Sequence, residues 1–429
     1  MKVCILNSSD GRYGGFSAVV RLHENLLRCG CDSTMLVAKK QSNNDTIVEV
    51  SRWKYNLSRL ITRLTHHYRM FFRKGYKEEY YFDPYGKTFV TAKNILDKLN
   101  QKPDVIVANW INGFITVQQL KELSELTGAP VIWYLLDMSP FTGGCHFSWS
   151  CLGYQYKCGS CPALISSNVS DASHQLWLYK EKYTKDLDLT VVSGTQWLKD
   201  QSVSSSLFGH KKQHKIMLSV NEEVFKPVEK SKARSLLGIN DDAKVLFFGA
   251  KSIAEKRKGM EYLFKALDAL VPLLMNKRIN VLLLIAGNEV DIDPKINDYY
   301  QKHYLGYIHN DEMLVAAYQS SNAYLSPSIE DSGPMMINES MMCGTPVVAF
   351  NIGVSNELVI NKETGYKVNL FDCEEFSKGI YEILIAGEYE EKLMSDNCRS
   401  MAMEFCSRKV QADAFISLFE DVVQGNKSE

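Results

Sequence analysis

Three carboxylates are concentrated in one short segment, PSIEDSGPMMINESMMCGTPVVAF, which runs from Pro327 to Phe350. Glu330 and Asp331 precede a Gly-Pro pair, and Glu339 stands inside a Met-rich run with a helical pattern. Asp331 and Glu339 are eight residues apart, so both side chains could face one cleft at the ends of neighbouring strands. Carboxylates placed in this way accept paired hydrogen bonds from the hydroxyl groups of a sugar or ribose. Taken singly, Asp331 is more typical of a helix N-cap and Glu339 of a solvated helix face.

A glycine and a proline mark where this helix would begin. Gly333 and Pro334 precede the apolar run, and proline suits the first turn because the N–H that it lacks would have no partner within the helix. The exposed N–H groups of a helix start attract phosphate together with the helix dipole. Gly344 is typical of the residue just after a helix. The segment therefore combines a phosphate-binding feature with hydroxyl-binding carboxylates.

Four cysteines form a second group of reactive side chains, in the stretch CHFSWSCLGYQYKCGSC. Cys145, Cys151, Cys158 and Cys161 have the spacing C-x5-C-x6-C-x2-C, which favours a tetrahedral structural zinc site. An iron–sulfur cluster is a less favoured alternative, and four reduced thiols in a loop is the simplest one. His146 could be a further ligand, although the neighbour of a ligating cysteine usually points elsewhere.

A basic segment covers residues 54–77, where seven Lys or Arg residues occur without an acid. Apolar side chains recur in it at helical spacing, namely Leu57, Leu60, Ile61, Leu64, Tyr68 and Phe71. This pattern predicts a basic amphipathic helix that could lie on anionic lipid. The alternative is an ordinary domain helix whose apolar stripe packs inward.

The elements that must position these residues alternate along the chain. A strand-like KVCILN is followed by a helical pattern from about Ser17 to Cys29, and DVIVANW and PVIWYLL are further short apolar runs. The second half shows the same alternation of strand-like and helical segments, with the strand-like runs AKVLFFGA, INVLLLIAG, NAYLSPS and TPVVAF. Continuous Val, Ile and Leu runs between helices predict parallel strands that are covered on both faces. Two doubly wound α/β halves follow as the expected architecture.

Length and charge limit the classes of protein. A chain of 429 residues is too long for one ordinary core, so two domains are expected. A net charge of −1 gives no electrostatic reason to expect nucleic acid as a partner. No apolar run reaches the length of a transmembrane helix, and the first residues lack the apolar region of a signal peptide. We therefore expect a cytoplasmic protein whose cysteines are thiols or metal ligands.

The acidic segment resembles the acidic-x7-acidic signature of the retaining glycosyltransferases of family 4. Asp331, Pro334 and Glu339 match that pattern, although the first acid of the family is usually Glu. The resemblance covers nearly the whole chain and is loosest over residues 40–100. It implies the GT-B fold, an α/β architecture of two Rossmann-like doubly wound domains that face a cleft.

The same resemblance extends to the phosphate side of the site. Gly249 and Lys258 match the family's strand-ending glycine and the lysine that neutralises the donor diphosphate. Ala250 stands where the family has Arg or Lys, and either Lys251 or Arg257 could supply the missing charge. Both alternatives stay open at the level of sequence.

Two further segments resemble ligand-contacting parts of the family. GYIHNDEMLVAAYQSSNAYLSPS resembles the segment that holds the nucleotide base through backbone near Tyr307 and Ile308. Gly14 and Gly15, placed between the first strand and the first helix, resemble the glycine loop that lets backbone approach a phosphate or an acceptor closely.

One departure bears on activity. PVIWYLLDMSPFTGG resembles a family segment in which His precedes Asp, and here Leu136 stands before the matching Asp137. The family's His contacts the reacting sugar. Its absence leaves two interpretations, an enzyme with a different sugar geometry or a weakened enzyme, and it keeps a non-catalytic function open.

The polar, basic stretch GHKKQHK at residues 209–215 marks the expected join between two domains, and the resemblance implies their roles. Residues 1–210 would be an N-terminal acceptor-binding domain with a Cys-rich insertion at 145–161. Residues 215–405 would bind the nucleotide sugar. Residues 406–429 would be a C-terminal helix that packs back on the N-terminal domain.

The implied activity is transfer of a sugar, with retention, from a nucleotide-diphosphate donor to a glycan or a polyprenyl-diphosphate-linked acceptor in surface polysaccharide synthesis. Lys258 and the Gly333-Pro334 helix start would stabilise the leaving diphosphate without a catalytic metal. Glu339 would hold the ribose, and Asp331 and Asp137 would act on the transferred sugar. The acceptor would attack the sugar on the face from which the diphosphate leaves. The location would be cytoplasmic and peripheral to the inner face of a membrane. A non-catalytic GT-B partner protein and a nucleotide-sugar epimerase are the alternatives.

Overall fold

The computed structural model describes residues 1–11, 15–71, 80, 88–165, 168–240, 242–249, 255–287, 296 and 298–425. It separates into two compact units. The first unit comprises Met1–Met217 together with Gln411–Glu429, and the second comprises Leu218–Val410. Each unit is an α/β layer structure around one parallel sheet.

The first unit contains a seven-stranded sheet in the order β3-β2-β1-β4-β5-β6-β7, with every pair parallel. The strands are β1 Lys2–Ser9, β2 Asp32–Lys39, β3 Ile47–Glu49, β4 Val105–Ala108, β5 Val131–Leu135, β6 Leu189–Ser193 and β7 Lys212–Lys215. The helices are α1 Gly15–Arg28, α2 Arg52–Phe71, α3 Ala92–Leu96, α4 Val117–Thr127, α5 Ala172–Thr184 and α6 Gln196–Ser204. The last helix of the chain, α14 Arg408–Gly425, belongs to this unit from Gln411 onward.

The second unit contains a six-stranded parallel sheet in the order β10-β9-β8-β11-β12-β13. Its strands are β8 Lys244–Gly249, β9 Val281–Ala286, β10 Gln301–Gly306, β11 Ala323–Ser326, β12 Val347–Phe350 and β13 Gly365–Val368. Its helices are α7 Lys230–Leu237, α8 Met260–Lys277, α9 Asp311–Ser320, α10 Met335–Met342, α11 Ser355–Leu358, α12 Cys373–Ile385 and α13 Glu388–Cys406.

The central strands are buried along their whole length, as their uninterrupted apolar runs predict. Every residue of β4, β5, β11 and β12 is buried, because helices cover both faces of a parallel sheet. Local capping fixes where the covering helices begin. α4 starts at a capping box between Thr116 and Gln119, and α9 starts where the Asn310 side chain accepts a hydrogen bond from the backbone of Met313.

Each sheet has one point at which the strand order reverses. It lies between β1 and β4 in the first unit and between β8 and β11 in the second. In open parallel sheets, ligands bind outside the carboxyl ends of the strands at such a reversal. The loops that follow these four strands are therefore where a functional site is expected in each unit.

The two doubly wound α/β halves expected from the sequence are confirmed. The boundary between the units lies at Met217 and Leu218, a few residues after the polar stretch at which the sequence placed it. The predicted basic helix corresponds to α2, and residues 72–77 of that segment lie outside the described residues. Within the described parts of the chain, none of the helices has both the length and the apolar character required to cross a membrane.

Candidate functional site

A charged group made of Asp331, Arg257 and Lys258 lies at the reversal point of the second unit, and Asp331 is at its centre. Asp331 follows β11 and is only 6% exposed. Its Oδ2 accepts hydrogen bonds from Arg257 Nη1 at 2.8 Å and from Lys258 Nζ at 2.6 Å. Its Oδ1 accepts a hydrogen bond from the Gly333 N–H at 3.1 Å. Burial alone would raise the pKa of this carboxyl, but the two cations and the N–H outweigh burial and lower the pKa to about 2.

A tight turn brings the two cations to this carboxylate. Residues 256–258 form one turn of 3₁₀ helix, and Gly259 follows at φ +65° before α8 begins. A Cβ on Gly259 would lie 1.9 Å from the carbonyl oxygen of Pro327, so the position requires glycine both for its φ and for the close approach. The Arg257 carbonyl also accepts a hydrogen bond from the Ile329 N–H at 2.8 Å. The turn is thereby fixed against the segment that leads into Asp331.

Glu339 lies on α10, which begins at Met335 directly after the Gly333-Pro334 pair. The carboxyl is buried, and Tyr318 OH donates a hydrogen bond to its Oε2 at 3.4 Å. Burial raises the pKa of Tyr318 well above its usual value, and the negative charge of Glu339 raises it further. Tyr318 therefore stays a protonated donor at neutral pH, which orients the carboxylate.

Two other residues expected in the second unit, Gly249 and Ile308, lie at or just after the carboxyl ends of β8 and β10. Gly249 ends β8, where a Cβ would lie 2.8 Å from the Ala286 carbonyl oxygen. Ile308 follows β10 and is partly exposed. Gly353 has φ +56°, and a Cβ on it would lie 2.8 Å from the carbonyl oxygen of Asp331. Lys251 lies outside the described residues. Of the two residues that could replace the cation missing at Ala250, the structure therefore describes Arg257.

In the first unit, Asp137 follows β5 and pairs with His146 rather than standing alone. Asp137 Oδ2 lies 2.7 Å from His146 Nδ1, and Asp137 Oδ1 accepts the Ser139 N–H at 2.7 Å. Burial opposes ionisation of Asp137, but His146 and the Ser139 hydrogen bonds outweigh it and lower the pKa. Sequence reasoning treated His146 only as a possible metal ligand. In the sequence, the Gly143-Gly144 pair between Asp137 and His146 was the feature that indicated a turn of the chain here.

The glycine loop is described from Gly15 onward, since Gly14 lies outside the described residues. Gly15 opens α1, and a Cβ on it would lie 2.7 Å from Leu136 Cδ1. Leu136 therefore packs where the loop that follows β5 meets the start of α1. A larger side chain at position 15 would have to displace it.

The four clustered cysteines line one small cavity of about 20 Å³. The Gly143 N–H donates to Cys158 Sγ at 3.2 Å, and the Gly153 N–H donates to Cys151 Sγ at 3.4 Å. Burial raises the pKa of Cys158 to about 12 and also raises the pKa of Cys145. The donor chemistry suits zinc. Within the described residues, however, no group of three or more His, Cys, Asp or Glu side chains is arranged to hold a metal ion. The zinc site therefore stays a prediction.

The charged group of the second unit lies within a recognised domain. The family model of glycosyl transferases group 1 matches residues 242–385, a range that includes Arg257, Lys258, Asp331 and Glu339. The matched range lies within the second unit, which is therefore similar to group 1 glycosyl transferases.

Curated relatives of this chain are similar to it over parts of their length. The D-inositol 3-phosphate glycosyltransferase of Saccharomonospora viridis is 25% identical over 217 residues, which is 48% of this chain and 49% of the relative. The UDP-Gal:alpha-D-GlcNAc-diphosphoundecaprenol alpha-1,3-galactosyltransferase of Escherichia coli is 26% identical over 105 residues, or 24% of this chain and 27% of the relative. The chain spans about half the length of the first curated relatives it matches or less.

Solved structures match the fold over the whole chain. The crystal structure of HepE from Anabaena in complex with UDP and glucose has a TM-score of 0.62 and 14% sequence identity. The match covers 98% of this chain and 99% of HepE. Likeness at this identity concerns the fold, and the two Rossmann-like units together form the GT-B fold.

Proposed function

We propose that this protein transfers a sugar from a nucleotide-diphosphate donor, with retention of anomeric configuration, to a glycan or polyprenyl-diphosphate-linked acceptor. The observation that carries the proposal is the buried Asp331 held by Arg257 and Lys258 at the reversal point of the glycosyl transferase domain. Buried charges are costly unless they are paired and hydrogen-bonded, and charged groups with strongly shifted pKa values cluster at functional sites. This group has both the cations for a diphosphate and a carboxylate for sugar hydroxyls.

The charge balance of the group suggests how the donor would bind. Arg257 and Lys258 face Asp331, and Arg257 also pairs with Glu255, so the positive and negative charges of this group balance before a donor binds. The start of α10 adds a partial positive charge. A diphosphate would attract Arg257 and Lys258 and thereby release Asp331 to accept hydrogen bonds from sugar hydroxyls. As the bond to the sugar breaks, these cations would stabilise the charge that develops on the leaving diphosphate. The acceptor hydroxyl would then attack on the face from which the diphosphate leaves.

The nucleoside would occupy the neighbouring strand ends. Glu339, oriented by Tyr318, would accept hydrogen bonds from the two ribose hydroxyls, and backbone near Ile308 would hold the base. HepE is described with UDP and glucose, and the Escherichia coli relative is named for UDP-Gal. A uridine nucleotide is therefore the first donor to test.

A lipid-linked acceptor is supported by α2. Among the side chains of this helix that the structure describes, Trp53, Leu57, Leu60 and Leu64 are large, apolar and exposed. Lys54 and Arg59 stand among them, and the helix contains no acid. Apolar and basic side chains together favour the surface of an anionic bilayer. The Escherichia coli relative is named for a diphosphoundecaprenol acceptor.

We also propose that the cysteine loop closes around one structural Zn²⁺. The support is the shared cavity of the four thiols and the two backbone N–H groups that already point at Cys158 and Cys151. Zinc binds thiolates, so its binding would release protons from thiols whose pKa burial has raised.

A non-catalytic partner protein is the second candidate, and Leu136 in place of the family's His is the observation that favours it. Nucleotide release separates the two functions. The purified protein is incubated with UDP-sugars and a cell-derived pool of lipid-linked acceptors, and UDP is measured over time. The enzyme releases UDP only with a suitable donor and acceptor together. Turnover that stays absent with every UDP-, GDP- and dTDP-sugar in the presence of acceptor would favour the non-catalytic function.

A further inference from the structure

A cavity lies in the second unit at the edge of the sheet opposite to Asp331. Its volume is about 320 Å³, which is within the range of small-molecule sites. Asn322 and Pro346 line it and stand directly before β11 and β12, whereas Asp331 follows β11. At about 3.3 Å per residue, β11 separates the cavity from Asp331 by roughly 13 Å. The cavity is therefore distinct from the charged group around Asp331.

One side of α13 forms a wall of this cavity. Glu388, Glu391, Lys392 and Ser395 line it, and spacings of three and four residues place them on one side of a helix. Apolar side chains also line the cavity, namely Val228, Pro346, Ile383 and Met394. Apolar surface combined with a small number of charged groups is typical of sites for small molecules.

Lys230 is a cation of this cavity that is only loosely paired. Its Nζ lies 3.9 Å from Glu391 Oε2, which is too far for a hydrogen bond. Glu391 Oε1 instead accepts hydrogen bonds from Lys244 Nζ at 3.0 Å and from Asn322 Nδ2 at 3.4 Å. The negative charge of Glu391 is thus shared with Lys244, which is the closer of the two lysines.

The charges around Lys230 favour an anion. Burial lowers the pKa of Lys230, Glu391 raises it, and Arg234 and Lys244 lower it. Two cations and one acid are therefore the main charges that act on this amine. Lys230 is also the first residue of α7, where the helix dipole disfavours a cation. The stability of the fold thus gives little reason for a lysine here, and a bound anion would stabilise it.

The other charged side chains that line the cavity are explained by α13 itself. Glu388 is the first residue of α13, where the helix dipole favours an acid. Lys392 Nζ lies 3.1 Å from Asp396 Oδ2, four residues further along the same helix. Lys230 is therefore the charge that a ligand would complement.

We propose that this cavity binds a small organic anion, with a carboxylate or phosphate group at Lys230 and an apolar body against Val228, Pro346 and Met394. The anionic group would accept a charge-assisted hydrogen bond from Lys230 Nζ. The apolar walls would remove the body of the ligand from water. This ligand is not the nucleotide sugar, because the cavity lies at the sheet edge opposite to Asp331, and the proposal does not depend on the proposed sugar transfer.

The test uses two fluorescent probes with the same aromatic body. 8-Anilinonaphthalene-1-sulfonate is an anion, and N-phenyl-1-naphthylamine is neutral. Each is titrated into the full chain, and the rise in fluorescence gives the Kd. The anion should bind about 10-fold tighter than the neutral probe, the value of one charge-assisted hydrogen bond. The two probes should bind Lys230→Gln equally. Lys232→Gln should keep the 10-fold difference, since Lys232 is an exposed lysine of the same helix.

Two further variants locate the probe. Ala386→Phe should fill the cavity and abolish binding of both probes, with melting curves to show that this variant is folded. Lys258→Ala should leave both Kd values unchanged. Equal affinity of the two probes for the wild type, or binding that neither Lys230→Gln nor Ala386→Phe weakens, overturns the proposal.

Competition identifies the anionic group of the ligand. Benzoate and phenyl phosphate, at up to about 50 mM, should displace the anionic probe, because a few weak contacts support millimolar affinity. The tighter competitor shows whether the cavity prefers a carboxylate or a phosphate. Displacement by neither compound overturns the assignment of these two groups.

Discussion

At the scale of single residues, Asp331 is a buried carboxylate at the reversal point of the second unit. Its ionised form is stabilised by Arg257, Lys258 and the Gly333 N–H. A carboxyl whose pKa is lower in the folded protein stabilises the fold above its unfolded pKa, and this contribution is lost as pH falls toward the folded value. For Asp331 the window lies between the ordinary value of 3.8 and about 2.

Asp331→Asn should therefore lower the free energy of unfolding by about 2 kcal/mol at neutral pH, from the size of the pKa shift. The difference from the wild type should shrink as pH falls from about 4 to about 2, where the wild-type carboxyl becomes protonated. Urea unfolding of both proteins at several pH values measures this difference in the free energy of unfolding. Asp242→Asn, at an exposed position of the same unit, is the matched control. A difference that stays constant down to pH 2 would contradict the ion-pair explanation.

Glu339→Ala and Lys258→Ala should each abolish transfer and leave the fold intact. The Glu339→Ala variant would lack the carboxylate that holds the ribose hydroxyls. The Lys258→Ala variant would lack a cation that stabilises the leaving diphosphate. Initial rates of nucleotide release and circular dichroism spectra are the measurements. Lys265→Ala is the control, because Lys265 is exposed and pairs with Glu261 within α8. Near wild-type turnover by a folded Glu339→Ala protein would remove this residue from the site.

At the scale of elements, the cysteine loop and α2 are features that the charged group of the second unit does not need. The loop from Cys145 to Cys161 begins directly before His146 and packs against α5, where the Gly159 N–H donates to Ser173 Oγ at 2.9 Å. A metal in this loop would therefore stabilise the segment that holds His146. α2 instead presents apolar side chains outward.

The protein purified without a histidine tag should contain about one zinc per chain. Cys158→Ser should lower the zinc content and the melting temperature together, because the metal binds the folded loop. Cys29→Ser should retain both, since Cys29 is exposed and outside the cluster. Elemental analysis and thiol titration are the measurements. Neither zinc nor iron, with four titratable thiols in the loop, would rule the metal site out.

α2 should bind anionic vesicles, and binding should weaken as salt is raised because its basic side chains contribute. Leu60→Glu should reduce the bound fraction severalfold by placing a charge among the exposed apolar side chains. Leu126→Glu is the control, because Leu126 is an exposed leucine of α4. Co-sedimentation with phosphatidylglycerol vesicles measures binding. Equal loss in both variants would show that α2 has no special role.

At the scale of the whole molecule, a donor that binds only the folded state should raise its stability by mass action. A nucleotide sugar at about 100 times its Kd adds about 2.7 kcal/mol. Melting curves of the full chain with UDP-, GDP- and dTDP-sugars should therefore single out one nucleotide class, and we expect the uridine class. Lys258→Ala should lose most of that rise. A rise of equal size for all three classes would contradict base recognition near Ile308.

The sequence by itself determined the architecture and singled out Asp331, Glu339 and Lys258 in the second unit. Apolar runs between helical patterns specify parallel strands. The order of Asp331, Gly333-Pro334 and Glu339 along the chain already places them on one continuous loop and helix after a strand. Such features are local, so the order of residues is enough to read them.

Only the tertiary structure decided which residues from distant segments meet. Arg257 reaches Asp331 because Gly259 turns the chain against Pro327, and the sequence left Arg257 and Lys251 equivalent. His146 reaches Asp137 because a loop closes on itself and is held by Lys180 from α5. These contacts depend on packing between segments that are far apart along the chain, and packing has no period or spacing that a sequence pattern can show.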